Sequence, residues 1–307
     1  MKIIYTAILT LTTLILASCS GNQKENYLSN TLPLVVTTSA ITADLAKKIG
    51  GNGIDVRLLV PNGFDSHTYE PKPSEITLLG NADLIVVPDI NLNPIITGLV
   101  QLSGSPARIL DLNAAALNKT DLIYNEKNNQ SSYNPHTWTS PILGIKWLEP
   151  LTERILLLDG VNQELIAFNS KKLLDDLLTL DSDIRKELNT LAEEERKLVV
   201  YHDAWVYFGL EYGLQVVGAI QAASFAEPSA AELSKMVDQI RQEKVKAFFG
   251  SEVFPSDVLN ALEQETGAKY IANLSDDKLP GLDGELKHSY IGMMRENLAI
   301  IMDGLKK

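Results

Sequence analysis

Ile54-Asp-Val-Arg-Leu-Leu-Val60 runs straight into Pro61-Asn-Gly-Phe-Asp-Ser-His67-Thr-Tyr-Glu-Pro-Lys-Pro-Ser74-Glu75. The first run is apolar and β-branched, as a buried strand requires. The second carries three prolines and a glycine, so it reads as a stiff loop, and Ser74 is placed to cap the helix that follows. A strand, a rigid loop and a helix in that order make one βα unit with His67 held at its turn.

The same unit recurs on both sides. Upstream, Leu34 to Thr38 suits a buried parallel strand, and Ser39 to Ile49 has helical spacing at Ile41, Leu45 and Ile49 before the Gly50-Gly51 stop. Downstream, Leu84 to Val87 and Ala107 to Leu110 read as strands around a helix from Pro94 to Leu102. Asn113 to Tyr133 is polar and Asn-rich, and reads as a surface excursion. It leads to Asn134-Pro-His136-Thr-Trp-Thr-Ser-Pro141, a second histidine in a proline-stiffened loop, and Pro150 should break the helix that follows. Val161 to about Leu191 then runs without Pro or Gly, and at 1.5 Å per residue a helix of that length would be about 45 Å long. Alternation resumes with strands at Lys197–Tyr201, Leu214–Ile220, Val245–Phe249 and Ala268–Ala272. Ser229 and Glu232 have capping-box spacing, and an amphipathic helix from about Ser289 to Leu305 closes the chain. The expected fold is therefore α/β: two βα lobes with mostly parallel sheets, residues 32–158 and 193–307, joined by one long rigid helix within 159–192.

The N-terminus has another character. Lys2 precedes an apolar segment, Ile3 to Leu16, too short to span a bilayer comfortably but suited to a signal peptide over residues 1–18. Leu16-Ala-Ser-Cys19 resembles a bacterial lipobox. Cys19 is the one cysteine of the chain, so lipidation there would leave no thiol and no disulfide, with 19–31 as a polar tether. The expectation is an extracytoplasmic, membrane-anchored lipoprotein, in the periplasm or at the cell surface.

Charge excludes one class of partner. Lys and Arg number 27 against 39 Asp and Glu, and removing residues 1–18 takes Lys2 with it, moving the net charge from −12 to −13. No basic block is present, so nucleic acid is not an expected partner. Aromatic residues at 7% give little support to a cleft for an organic solute.

Four histidines occur, and three of them, His67, His136 and His202, fall where a predicted strand leaves its sheet. Ligands of open α/β sheets sit outside those carboxyl ends. Three neutral imidazoles with a carboxylate from a comparable loop, Asp276, would suit a borderline divalent cation, although spacing alone does not bring these positions together.

Several motifs, in order, carry a family resemblance: Gly63-Phe-Asp-Ser-His67-Thr-Tyr-Glu-Pro-Lys-Pro-Ser74, Asn134-Pro-His136-Thr-Trp-Thr-Ser-Pro141, Tyr201-His202-Asp-Ala-Trp-Val-Tyr-Phe208, Glu227-Pro-Ser229 and Tyr290-Ile-Gly-Met-Met-Arg-Glu-Asn297. Together they resemble the zinc/manganese-binding solute receptors of bacterial metal ABC importers, of the cluster A-I type. The resemblance implies metal held between the lobes by His67, His136, His202 and an acid before the last helix. Asp276 fits that position best, Asp277 is next, and a shifted alignment would put Asn273 there. Asn134 stands where the family usually has Asp. Glu252 resembles a recurrent acid at the cleft edge, as ligand or supporting carboxylate, while His288 lies outside the motifs and should be exposed. The implied partners are one divalent ion, Zn2+ or alternatively Mn2+, a membrane permease, and the membrane through Cys19, with the protein a monomer. Three nitrogens favour zinc; the lack of histidine between 113 and 133 points back toward manganese. Affinity is expected to drop as pH falls through about 6.5. A zinc hydrolase, an adhesin-type lipoprotein and an organic-solute receptor are the alternatives; for the hydrolase no His-Glu-x-x-His helix is present.

Overall fold

In a computed structural model, residues 32–102, 108–124, 132–221, 229–251 and 257–306 are described. Cys19, Glu252 and the Glu227-Pro228 pair lie outside them. The first sheet is built from β1 (Leu34–Thr37), β2 (Asp55–Leu58), β3 (Leu84–Val87) and β4 (Ile109–Asp111), all parallel in the order β2-β1-β3-β4. Helix α1 (Ala40–Gly50) crosses from β1 to β2, α2 (Pro73–Asn81) from β2 to β3, and α3 (Pro94–Leu102) from β3 to β4. The chain then forms α4 (Leu112–Ala116), α5 (Pro141–Lys146), α6 (Leu148–Leu156) and α7 (Gln163–Leu188).

The second sheet repeats the plan. β5 (Lys197–His202), β6 (Gln215–Gln221), β7 (Ala247–Ser251) and β8 (Lys269–Leu274) are parallel in the order β6-β5-β7-β8. Their crossovers are α8 (Val206–Tyr212), α9 (Ala230–Glu243) and α10 (Asp257–Thr266), and α11 (Tyr290–Leu305) closes the chain. In each sheet the first strand has later strands on both sides, so the direction of winding reverses beside it. That reversal opens a crevice beyond the carboxyl ends of β1 and β5.

The 26 residues of α7 span about 39 Å. Asn162 caps its start by accepting from the Leu165 N–H, two residues into the predicted run. Ile166, Leu173, Leu177, Leu180, Ile184 and Leu188 form its buried stripe, each worth about 1.5–3 kcal/mol of apolar burial. That stripe belongs to one continuous core reaching from Val35 and Leu84 of the first sheet and Leu45 of α1 to Val200, Phe249 and Ile301 around the second. Two smaller cores lie elsewhere against the sheets, one around Leu79 and Ile85, the other around Ile240 and Phe248.

Local expectations hold in most places, with instructive differences. Ser229 and Glu232 form the reciprocal capping box. Ser74 does not cap α2: Pro73 takes the first helical position, where its fixed φ and missing N–H cost nothing, and the Glu75 carboxylate accepts from the Lys72 N–H instead. The helix after Pro141 breaks at Trp147, ahead of Pro150, which lies in the first turn of α6 where proline is tolerated. Asn113 is no surface residue. It is 1% exposed; its amide nitrogen donates to Asp89 and the Pro135 carbonyl, and its oxygen accepts from Thr137 and Trp147.

Candidate metal centre

The loop after β2 is tied down by its own side chains. Asp65 accepts from the His67 N–H through Oδ1 at 2.9 Å and from the Thr68 hydroxyl through Oδ2 at 2.6 Å. Asn93, at the start of α3, donates to the Ser66 and Tyr69 carbonyls at 2.9 and 3.1 Å while its oxygen receives the Ile95 and Ile96 N–H groups. One asparagine thus caps a helix and clamps the His67 loop. An Asn-Pro pair opening a helix was a readable cap signal, but its second duty was not.

His136 precedes a short 3₁₀ turn, Thr137–Thr139, and is 3% exposed. Its Nδ1 lies 2.9 Å from Asn134 Oδ1, which also accepts the His136 backbone N–H at 3.0 Å. His202 is the last residue of β5, so the central strand of the second sheet delivers it to the crevice.

The three rings converge. His136 Nε2 lies 2.9 Å from His67 Nε2 and 3.0 Å from His202 Nε2. Nitrogens bound tetrahedrally to a cation at about 2.0–2.1 Å would be roughly 3.3 Å apart, so a few tenths of an ångström of opening would admit one. Burial, then the proximity of His202 and His67, holds the His136 imidazole far below its ordinary value. Burial and then His67 push His202 down to about 3. His67 is lowered by burial, partly opposed by Asp65 and a backbone hydrogen bond at Leu92. All three are therefore neutral near neutral pH, the form in which an imidazole nitrogen is able to bind a cation.

The two acids before α11 have different surroundings. Asp276, 3% exposed, lines a small cavity with His202, Trp205, Gly250 and Ser251, and its carbonyl accepts from Trp138 Nε1 at 2.8 Å. Asp277 accepts from the Ser66 hydroxyl at 2.7 Å. Among the described residues, two trios have potential ligand atoms within 4.8 Å of one another: His67, His136 and His202, and Asp65, His67 and Asp277. Asp276 belongs to neither trio. Asn273 is exposed, with φ +68, and borders a different hollow, with Lys287 and Glu296. His288 is half-buried rather than exposed, with Nδ1 3.1 Å from the Pro280 carbonyl.

Asn134 keeps an acceptor beside His136 although the family motif has Asp there. Its Nδ2 donates to the Asp203 carbonyl at 2.6 Å, and burial lifts the Asp203 carboxyl to about 6 against that amide's opposing hydrogen bond.

Comparison with known proteins agrees with this architecture. The chain is 29% identical to the manganese ABC transporter substrate-binding lipoprotein PsaA of Streptococcus mitis, over 98% of this chain and 97% of that one. It is 25% identical to the manganese-binding lipoprotein MntA of Halalkalibacterium halodurans, over 100% and 99%. The solved periplasmic zinc-binding protein TroA of Treponema pallidum superposes with a TM-score of 0.80 at 26% identity, covering 89% of this chain and 99% of its own. The family model described as zinc-uptake complex component A, periplasmic, matches residues 35–304, and the chain belongs to that family.

Proposed function

We propose that this protein is the extracytoplasmic receptor of an ABC-type importer, capturing a divalent transition metal and delivering it to a membrane permease. The convergence of three imidazole Nε2 atoms at 2.9–3.0 Å carries the reading. In this proposal His67, His136 and His202 supply nitrogen and Asp276 completes the set with oxygen, while Asp277 supports the loop through Ser66. Glu252 would lie at the cleft edge and Cys19 would carry the lipid anchor. The working unit is one chain, since every proposed donor comes from it, divided into lobes 32–158 and 193–307 about the connecting segment 159–192.

The ion proposed first is Zn2+, because three imidazoles with one carboxylate match its preferred donors. Mn2+ is the second reading, favoured by relatives named for manganese. The family is a binding component of importers and not an enzyme, so the hydrolase alternative is set aside. No described helix is long and apolar enough to cross a membrane.

The test is metal content by mass spectrometry after loading with zinc and manganese in competition. One equivalent in the parent, reduced in His67→Ala, His136→Ala, His202→Ala and Asp276→Ala, is expected. Absence of metal in the loaded parent would overturn the reading.

A further inference from the structure

The loop carrying Asp276 and Asp277 belongs to the second lobe, yet part of its anchorage comes from the first. Its own lobe holds one flank: Asn297 of α11 accepts the Ser275 N–H at 2.9 Å and donates to the Ser275 carbonyl at 2.6 Å. The other flank is held by Asn62, five residues before His67. Asn62 Nδ2 donates to the Leu279 carbonyl at 3.0 Å, and the Leu279 N–H donates to Asn62 Oδ1 at 2.7 Å. A backbone N–H can only donate and a carbonyl can only accept, so this pair fixes the orientation of the amide. Leu279 is itself 4% exposed and part of the main core. Gly63, at φ +90, makes the turn that separates Asn62 from the rest of the loop, with the Lys278 stem alongside it.

Resting on the receptor reading above, we propose that the Asn62–Leu279 pair is a latch across the site, and that Asn62 is a positioning residue governing how fast the cation leaves. The two paired bonds splint the loop bearing His67 to the loop bearing Asp276. With the splint closed, donors from both lobes stay around the cation together. Departure needs the loops to separate, and two bonds between partly buried groups must break for that. Removing them leaves every donor in place, so the change appears in the dissociation rate.

The test uses the zinc-loaded full chain and Asn62→Ala. Zinc release into excess chelator is followed by stopped flow, and amide exchange is followed segment by segment with and without zinc. Release about tenfold faster is expected, being the loss of about one to two modest hydrogen bonds. Association should be unchanged, with exchange rising at 275–279 and 61–67 and not elsewhere. Release at the parent rate from a fully loaded variant would overturn the latch alone. Failure of the parent to load zinc or manganese would overturn the receptor reading and the latch with it. Should Asn62→Ala not fold, the isosteric Asn62→Asp keeps an acceptor for the Leu279 N–H but loses the donor to the Leu279 carbonyl, and is read by the same two measurements, with slower or equal release counting against the latch.

Discussion

Asn134 Oδ1 receives both the backbone N–H and the ring Nδ1 of His136, at 3.0 and 2.9 Å. The backbone group can only donate, so the atom it reaches is the amide oxygen, and Nδ1 must carry the ring proton. Nε2, facing His67 and His202, is left with its lone pair outward. The tautomer needed for ligation is set before any cation arrives.

Replacing that oxygen tests the arrangement. Asn134→Leu should weaken zinc binding roughly 10–100-fold, the usual effect of losing the partner of a ligating histidine. Competition against a fluorescent chelator measures it; an unchanged affinity would show that Asn134 does not orient the ring.

Truncating the rings themselves should do more. His136→Ala is expected to exceed the roughly 100-fold upper end for partner loss. His136 is central, within 3.0 Å of both other rings, so its removal should be the most damaging of the three. Calorimetric titration of the three single variants would rank them.

The consecutive acids should separate by observable. Asp276→Asn is expected to lower equilibrium affinity, since its carboxylate is the proposed oxygen donor. Asp277→Ala removes the acceptor of the Ser66 hydroxyl bond and should mainly hasten release. Equal effects of both on affinity would contradict this division.

The histidines also set an acid limit. His202 has a folded-state value of about 3 against about 6.5 when unfolded. Above 6.5 neither state takes the proton, and no stability is lost. As pH falls from 6.5 toward 3 the unfolded chain binds a proton that the folded one refuses, so metal-free stability should decline by about 1.4 kcal/mol per pH unit for that residue. His202→Gln should flatten the decline in urea midpoints between pH 6 and 4. Proton competition for the metal should likewise begin below the 6.5 expected from free histidine, as burial lowers all three rings.

Most of the fold was legible because its signals are local. Pro94 to Leu102 is found at the predicted bounds, and Ser229 with Glu232 caps as spaced, because Pro and capping side chains act on their immediate neighbours. Ser74 misled because Pro73 beside it is the stronger helix starter. At the site, strand-end placement fits His67 after β2 and His202 at the end of β5, whereas His136, expected at a strand end too, follows no named strand among the described residues and leads into the Thr137–Thr139 turn; the three rings do meet. Asn62, Asn93 and Asn113 went unread in these roles. Asn62 and Asn93 are loop amides and Asn113 sits in the short α4, with clamped partners from 22 residues to over 200 away along the chain, and an amide looks the same in sequence whether it faces water or clamps a backbone.

The uninterrupted apolar interior along α7 has a consequence for how the molecule can be divided. A fragment ending near residue 160 would expose the faces of α1, α5 and α6 that α7 covers, and a fragment beginning there would strand α7 without them. Neither half should survive alone as a cooperative unit, and heating the whole should give one transition seen identically by probes placed in each sheet. Cargo exchange in such a body is then a matter of loops parting at a rim, with the frame beneath them undisturbed.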